Sequence, residues 1–167
     1  RRELELPARF HTSPGHGLRD NLGFEGLAPT RDGRYLFAGV ENALAQDGPA
    51  AGIGVESTTR VLRFDLGKKA PPAEFVYVVS AVSPAPANRE STADNGFSDL
   101  LPIDESRFLA LERQYVAGAG NSVRIYDVSL EGATDVSTLD SLDGASFVPA
   151  RKTLLLDLAE AGIRNEN

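Results

Sequence analysis

Two stretches of this chain align without a gap: GFEGLAPTRDGRYL, beginning at Gly23, and GFSDLLPIDESRFL, beginning at Gly96. Gly, Phe, Leu, Pro, Arg and Leu coincide at an offset of 73 residues. Self-similarity at a fixed period marks repeat architectures, in which a unit cannot bury its apolar face alone and stacks against a neighbour. Each copy runs into an apolar segment that reaches a glutamate, Glu41 in the first and Glu112 in the second. These lie six and four residues beyond the aligned Tyr35 and Phe108. Both counts are even, so the strand period of two puts each glutamate on the side of its aromatic. Further on, VLRFDL (61–66) matches VRIYDV (123–128) at an offset of 62, which leaves 11 extra residues in the first copy, mostly in the Gly- and Ala-rich loop 42–59.

Short segments rich in β-branched, aromatic and Leu residues recur between turn-rich connections: RYLFAGVE (34–41), RVLRFDL (60–66), EFVYVVSAV (74–82), RFLALER (107–113), SVRIYDVSL (122–130) and KTLLLDL (152–158). These predict strands. LAEAG at 158–162 is the one helix-like stretch and is barely a turn long. Nine residues after the matched Asp65 and Asp127 stand Glu74 and Val136, where each copy is expected to start another strand. Each unit thus holds about four strands, the content of a propeller blade. The expected fold is all-β and β-propeller-like, with about two four-stranded blades of an incomplete propeller. It is one domain over 1–167, with repeat 1 at about 21–93, repeat 2 at about 94–164 and the start of a third at 165–167. Propellers close with about four blades or more. The expectation is therefore of a piece of a longer propeller, or of an incomplete gene product, whose free edges pair with another chain or fray. The glycines of GFEG are expected to open a tight turn between blades and to display Glu25 near the propeller axis.

The charge balance narrows the partners. Lys and Arg number 17 against 24 Asp and Glu, a net charge of −7. That field repels a polyphosphate backbone, so nucleic acid is not expected as a partner. The longest apolar runs, such as FVYVVSAV at 75–82, fall far short of the ~20 residues of a membrane-spanning helix, so no membrane insertion is expected. With no cysteine in the chain, thiolate zinc sites and cysteine nucleophiles are excluded. His11 and His16, in HTSPGHG, lack the helical spacing of a zinc motif and read as a solvated loop. Ser13, Ser98 and Ser146 lack the Gly-x-Ser-x-Gly setting of a nucleophile elbow. Asp65 and Asp127 each follow an aromatic and precede a turn, where aspartate commonly caps the backbone. No signal peptide is visible in the chain, which begins at Arg1.

Four blocks in consecutive order, RDNLGFEGLAPTRDGRYLFAGVENALAQDG (19–48), NGFSDLLPIDESRFLALER (95–113), VRIYDVSLEGATDVS (123–137) and KTLLLDLAEAG (152–162), resemble the phytase-like, or "esterase-like activity of phytase", family of bacterial proteins. The resemblance implies a propeller-like fold whose recurring Glu and Asp carry phosphoester or ester hydrolysis. It also implies export, to the periplasm or the cell exterior. Carried over residue by residue, it makes Glu25, Asp99, Glu41 and Glu112 the candidate catalytic residues. A further block of the family pattern is expected to open at Asn165, Glu166 and Asn167.

A phosphoester hydrolase without cysteine needs a metal ion to activate water and neutralise phosphoryl oxygens, or a side-chain nucleophile with a base. Carboxylates from several blades suit the first, and oxygen ligands favour Ca²⁺, which accepts about 6 to 8 of them in irregular geometry. Glu25 and Asp99 are the candidate metal ligands. They equally suit bonding to backbone N–H groups in tight loops, and Glu25 aligns with Ser98 rather than with Asp99. Glu41 and Glu112 equally suit structural ion pairs, with Arg113, Arg60 or an arginine of a neighbouring blade as partner. Arg113 and Arg60 are also the candidates to clamp a phosphate of the small phosphoester or ester substrate. The competing reading is a non-catalytic propeller that serves as a binding or scaffold module, which the same repeat supports.

Overall fold

The computed structural model of the chain describes residues 3–83 and 92–163. Eight strands form two antiparallel meanders of four. The first sheet is β1 (Phe24–Pro29), β2 (Tyr35–Val40), β3 (Ser57–Asp65) and β4 (Ala73–Val79), in that order across the sheet. The second is β5 (Ala93–Pro102), β6 (Arg107–Val116), β7 (Gly120–Ser129) and β8 (Arg151–Asp157). There is no α-helix among the described residues, and LAEAG forms turns. The fold is all-β with two four-stranded units and is not closed. The third block at 165–167 lies outside the described residues.

The alternation that marks a strand also builds the core. Along β6, Phe108, Ala110, Glu112, Gln114 and Val116 are buried while their neighbours are less so. Their side faces the first sheet, where Phe37, Val61, Phe75, Tyr77 and Val79 meet Phe97, Phe108, Ala110, Tyr126 and Val128 in one cluster. Phe97 is the wedge. Its ring lies 4.9 Å from Tyr77 and 6.3 Å from Phe108, both edge-on. It also fills the space above Gly39, where a Cβ would stand 2.0 Å from its Cε1. The opposite face of the first sheet is covered by the N-terminal segment, with Phe10 among Ala38, Val40, Leu44, Leu62 and Phe64. The outer part of β4 packs through Val76 on Val136 and Leu142.

Three expectations need correction. GFEG and GFSD do not make turns between blades; they lie within or at the start of β1 and β5, each broken by a bulge, between Phe24 and Gly26 and between Phe97 and Asp99. The alternation in these stretches is interrupted by that one extra residue, which hides the strand from a period-two reading. Val136 does not start a strand. Its N–H bonds the Glu74 carbonyl at 2.8 Å, and Ala150 bonds Val76 in the same way, so the connection between β7 and β8 runs back along β4. That edge is partly occupied rather than free.

The third concerns register. Phe24 pairs with Val40 and Leu36 with Phe64, whereas Phe97 pairs with Glu112 and Phe108 with Val128. Phe108 therefore occupies the place of Leu36, not of Tyr35. The cause is the connection between the first two strands, which spans 30–34 in one sheet and 103–106 in the other. A one-residue slip turns every side chain to the other face. Parity holds within each strand, but Tyr35 faces the second sheet while Phe108 faces the first. Glu112 stands where the first sheet has Val40, and Arg113 where it has Glu41.

Candidate functional site

The first strands of the two sheets lie side by side, with Gly26 against the Asp99–Leu100 peptide. Glu41 stitches the junction: its N–H donates to the Gly23 carbonyl at 2.8 Å, and its carbonyl accepts from the Phe97 N–H at 3.0 Å. Its carboxylate lies on Gly96, where a Cβ would come 2.5 Å from Oε1. Glycine at this point of NGF leaves room for that carboxylate, which a Cβ would push aside. Burial raises the Glu41 pKa, the charge of Glu25 and that of Asp94 add to it, and Arg113 opposes them. A carboxyl of this kind is a candidate for proton transfer.

That shift has a stability consequence. The folded protein binds a proton at Glu41 more tightly than the unfolded chain does. Glu41 thus costs no stability below its unfolded pKa, and the folded protein loses stability as pH rises through the raised value. Glu41→Gln is expected to flatten this loss and to raise the melting temperature at neutral pH. Solvent screening of a half-exposed group limits the gain to below about 1 kcal/mol. Thermal melts of both forms between pH 4 and 8 measure it, and equal pH slopes would refute it.

The bulges explain why Glu25 and Asp99 fall out of step. The extra residue is Glu25 in β1 and Ser98 in β5, and bulges re-aim the side chain they insert. Asp99 resumes regular pairing opposite Leu111, and its Oδ1 accepts the Leu100 N–H at 2.8 Å. Both acids are exposed. The junction therefore brings together Glu25, Glu41, Asp94 and Arg113, with Asp99 on the adjoining strand.

Glu112 and Arg60 are elsewhere, each enclosed. Glu112 is 1% exposed and accepts from Tyr77 Oη at 2.8 Å, Asn95 Nδ2 at 2.8 Å, Lys152 Nζ at 2.6 Å and the Ser80 N–H at 3.3 Å. Lys152 also stands over the rings of Tyr126 and Tyr77, 4.4 and 5.0 Å from their centroids. Burial, followed by the charge of Glu112, pushes the Tyr77 hydroxyl far above its ordinary pKa. Burial is also the main cause that raises Tyr126. Lys152, Tyr77, Tyr126, Ser80 and Asn95 were invisible to motif reasoning; the one signal was a lone cation in the apolar run of KTLLLDL.

Arg60 is fully buried. Its Nε and Nη2 fork onto the two oxygens of Asp47 at 2.6 and 2.9 Å, and Nη1 donates to Glu74 Oε2 at 2.8 Å and to the Leu139 carbonyl at 3.0 Å. Asp47 also accepts the Leu142 N–H, and Arg9 bonds Glu74 from outside. Burial works against the Arg60 charge, yet its bonds to Asp47 and Glu74 outweigh it and hold the pKa above the ordinary value.

The remaining residues have local partners. Asp65 caps its turn through Gly67 N–H at 2.9 Å, and Asp127 pairs bidentately with Arg107. His16 Nε2 lies 3.4 Å from Asp140. Among the described residues no group of three or more His, Asp or Glu side chains is placed to hold a metal ion.

Comparison with known proteins adds the following. The model of the family described as "Phytase-like: Esterase-like activity of phytase" matches residues 1–167. The chain is 32% identical over 111 residues to an "Uncharacterized secreted protein" of Arthroderma benhamiae, a match that covers 63% of this chain and 21% of that protein. The chain thus spans about a fifth of the length of this curated relative. No solved structure matches.

Proposed function

Because the chain belongs to the phytase-like family, described by the esterase-like activity of phytase, we propose that the complete protein hydrolyses a small phosphoester, with part of its site at the junction of β1 and β5. The observation that supports this is the Glu41 carboxyl, held above its usual pKa beside Glu25 and Asp94 and facing Arg113. A raised pKa favours proton donation to a departing alkoxide, and an arginine opposite it suits the phosphoryl oxygens. Glu25 and Asp99 line the same junction.

Calcium is the cation we propose for this chemistry, yet the residues described do not make a site for it. Ca²⁺ takes about 6 to 8 oxygens, and no three acidic or histidine side chains here converge on one point. Oxygens from outside these residues are needed, and no catalytic step is drawn through the ion. The scaffold reading gains from Glu112 and Arg60, both engaged in buried bonding rather than turned to a ligand. By analogy with the relative's printed description as secreted, we place the protein outside the cytoplasm. The outer strand β8, with Leu154, Leu155 and Leu156 exposed, is the edge we propose for pairing with another chain.

Turnover of p-nitrophenyl phosphate and bis-p-nitrophenyl phosphate, with calcium or with chelator, tests the reading. The 167-residue chain is expected to be inactive. A complete protein is expected to turn over, and to lose about 10²-fold or more with Glu41→Gln. Unchanged turnover in Glu41→Gln and Arg113→Ala would remove the junction from the site; inactivity of the complete protein on both esters would favour the scaffold.

A further inference from the structure

We propose that Ser80, Lys152 and Glu112, with Tyr126, form a second, serine-based centre that accepts the acyl group of a carboxylic ester. Ser80 follows β4 directly, and it is partly exposed where a strand delivers its last side chain into a loop. Its Oγ is 2.7 Å from Lys152 Nζ, which is 2.6 Å from Glu112 Oε1. Nucleophile and base are thus in contact, as in the Ser–Lys pairs of otherwise unrelated hydrolases, and Glu112 fixes the position of the lysine. Tyr126 Oη lies 3.2 Å from Ser80 Oγ. The side chain of Lys152 is 20% exposed, so the pair is open to solvent. No Gly-x-Ser-x-Gly surrounds Ser80, because its partners come from β6, β7 and β8 rather than from its own turn.

The step balances within these groups. Neutral Lys152 takes the Ser80 hydroxyl proton as Oγ bonds the ester carbonyl carbon. The tetrahedral adduct then expels the alkoxide, which takes that proton back from Lys152 and leaves as alcohol. Water next attacks the acyl-serine, giving its proton through Lys152 to Ser80 Oγ as the C–Oγ bond breaks, and the carboxylic acid departs. Tyr126 offers its O–H to the negative charge on the oxygen in flight. The charged and titratable groups facing Lys152 are Glu112 from β6, Tyr77 from β4 and Tyr126 from β7. A lysine acts as a base only as the free amine, which higher pH favours, so the rate is expected to climb with pH.

The test is acylation of the 167-residue chain by p-nitrophenyl acetate and labelling by a fluorophosphonate, followed by intact mass and peptide mapping between pH 7 and 10. One equivalent on Ser80, faster as pH rises, is expected, and Ser80→Ala is expected to abolish it. Lys152→Met removes the one charged donor to Glu112 as well as the base, so it changes two things at once. Lys152→Arg is therefore the second variant: it keeps the charge, cannot act as base, and is expected to lower acylation about 10²-fold or more. Glu41→Gln is expected to leave labelling unchanged, which separates this centre from the phosphoester site. An unlabelled wild-type chain at pH 10, or equal labelling in Ser80→Ala, would overturn the proposal; so would full reactivity in Lys152→Arg, which would reduce the contacts to a structural lock.

Discussion

Arg60→Ala is expected to lower the stability of the chain by about 3–5 kcal/mol, the range for stripping one partner from a buried charge network. Typical domains hold only about 5–15 kcal/mol in reserve. The magnitude follows from what is left behind. Asp47 and Glu74 have fully buried carboxylates whose forked and single bonds all come from Arg60, apart from the Leu142 N–H on Asp47 and Arg9 on Glu74. The Leu139 carbonyl loses a donor as well. The network ties β3 and β4 to the loop 42–56 and to the connection between β7 and β8, so its loss should free both. Urea unfolding followed by circular dichroism should show a lower midpoint. Replacing Arg60, Asp47 and Glu74 together by apolar residues of similar size should cost less than Arg60→Ala, because Arg9, which keeps the Ser137 carbonyl, is then the one charge of the network left without a carboxylate. A triple variant worse than the single one would mean that the charges do more than compensate each other.

The same arginine shows where reading the sequence stops. Its place on a strand was legible from RVLRFDL, as were six of the eight strands, because period-two alternation and turn residues are local. Whether its guanidinium would meet a ligand or two carboxylates depended on Asp47 and Glu74, which reach it across a loop and a neighbouring strand. β1 and β5 were hidden by a single bulged residue each, although the repeat itself had marked them as equivalent stretches. The one-residue difference between the two strand connections was equally invisible to a gapless alignment. It decided that Glu112 turns inward where Val40 does, and that Arg113 takes the place of Glu41. Of the chosen acids, only Glu25 and Glu41 come to share one field, because both sit at the contact between sheets. Lys152 carried no motif, and only the folded second sheet brings it under Tyr126 and onto Glu112.

Glu112→Leu is expected to be as damaging as Arg60→Ala, about 3–5 kcal/mol, for a different set of orphans. Removing the carboxylate takes the acceptor from the Lys152 ammonium, the Tyr77 hydroxyl, the Asn95 amide and the Ser80 N–H at once. The buried Asn95 Oδ1 accepts no bond in the folded chain, but one neutral acceptor does not replace a carboxylate shared by four donors. Lys152→Met is expected to cost less, since three neutral donors still hold the carboxylate and the thioether still covers the two tyrosine rings. The double variant Glu112→Leu, Lys152→Met should recover part of the loss, with a coupling of about 0.5–3 kcal/mol, as contacting pairs give in mutant cycles. A double variant whose loss equals the sum of the singles would show that the two side chains act independently. Lys152 would then be a surface lysine resting on tyrosines, and Glu112 a carboxylate held by Tyr77 and Asn95 alone. Coupling, by contrast, makes β8 part of the lock between the sheets. The outer strand would then be tied to β4 through Lys152, Glu112 and Ser80, and truncation before Arg151 should loosen the first sheet as well as the second.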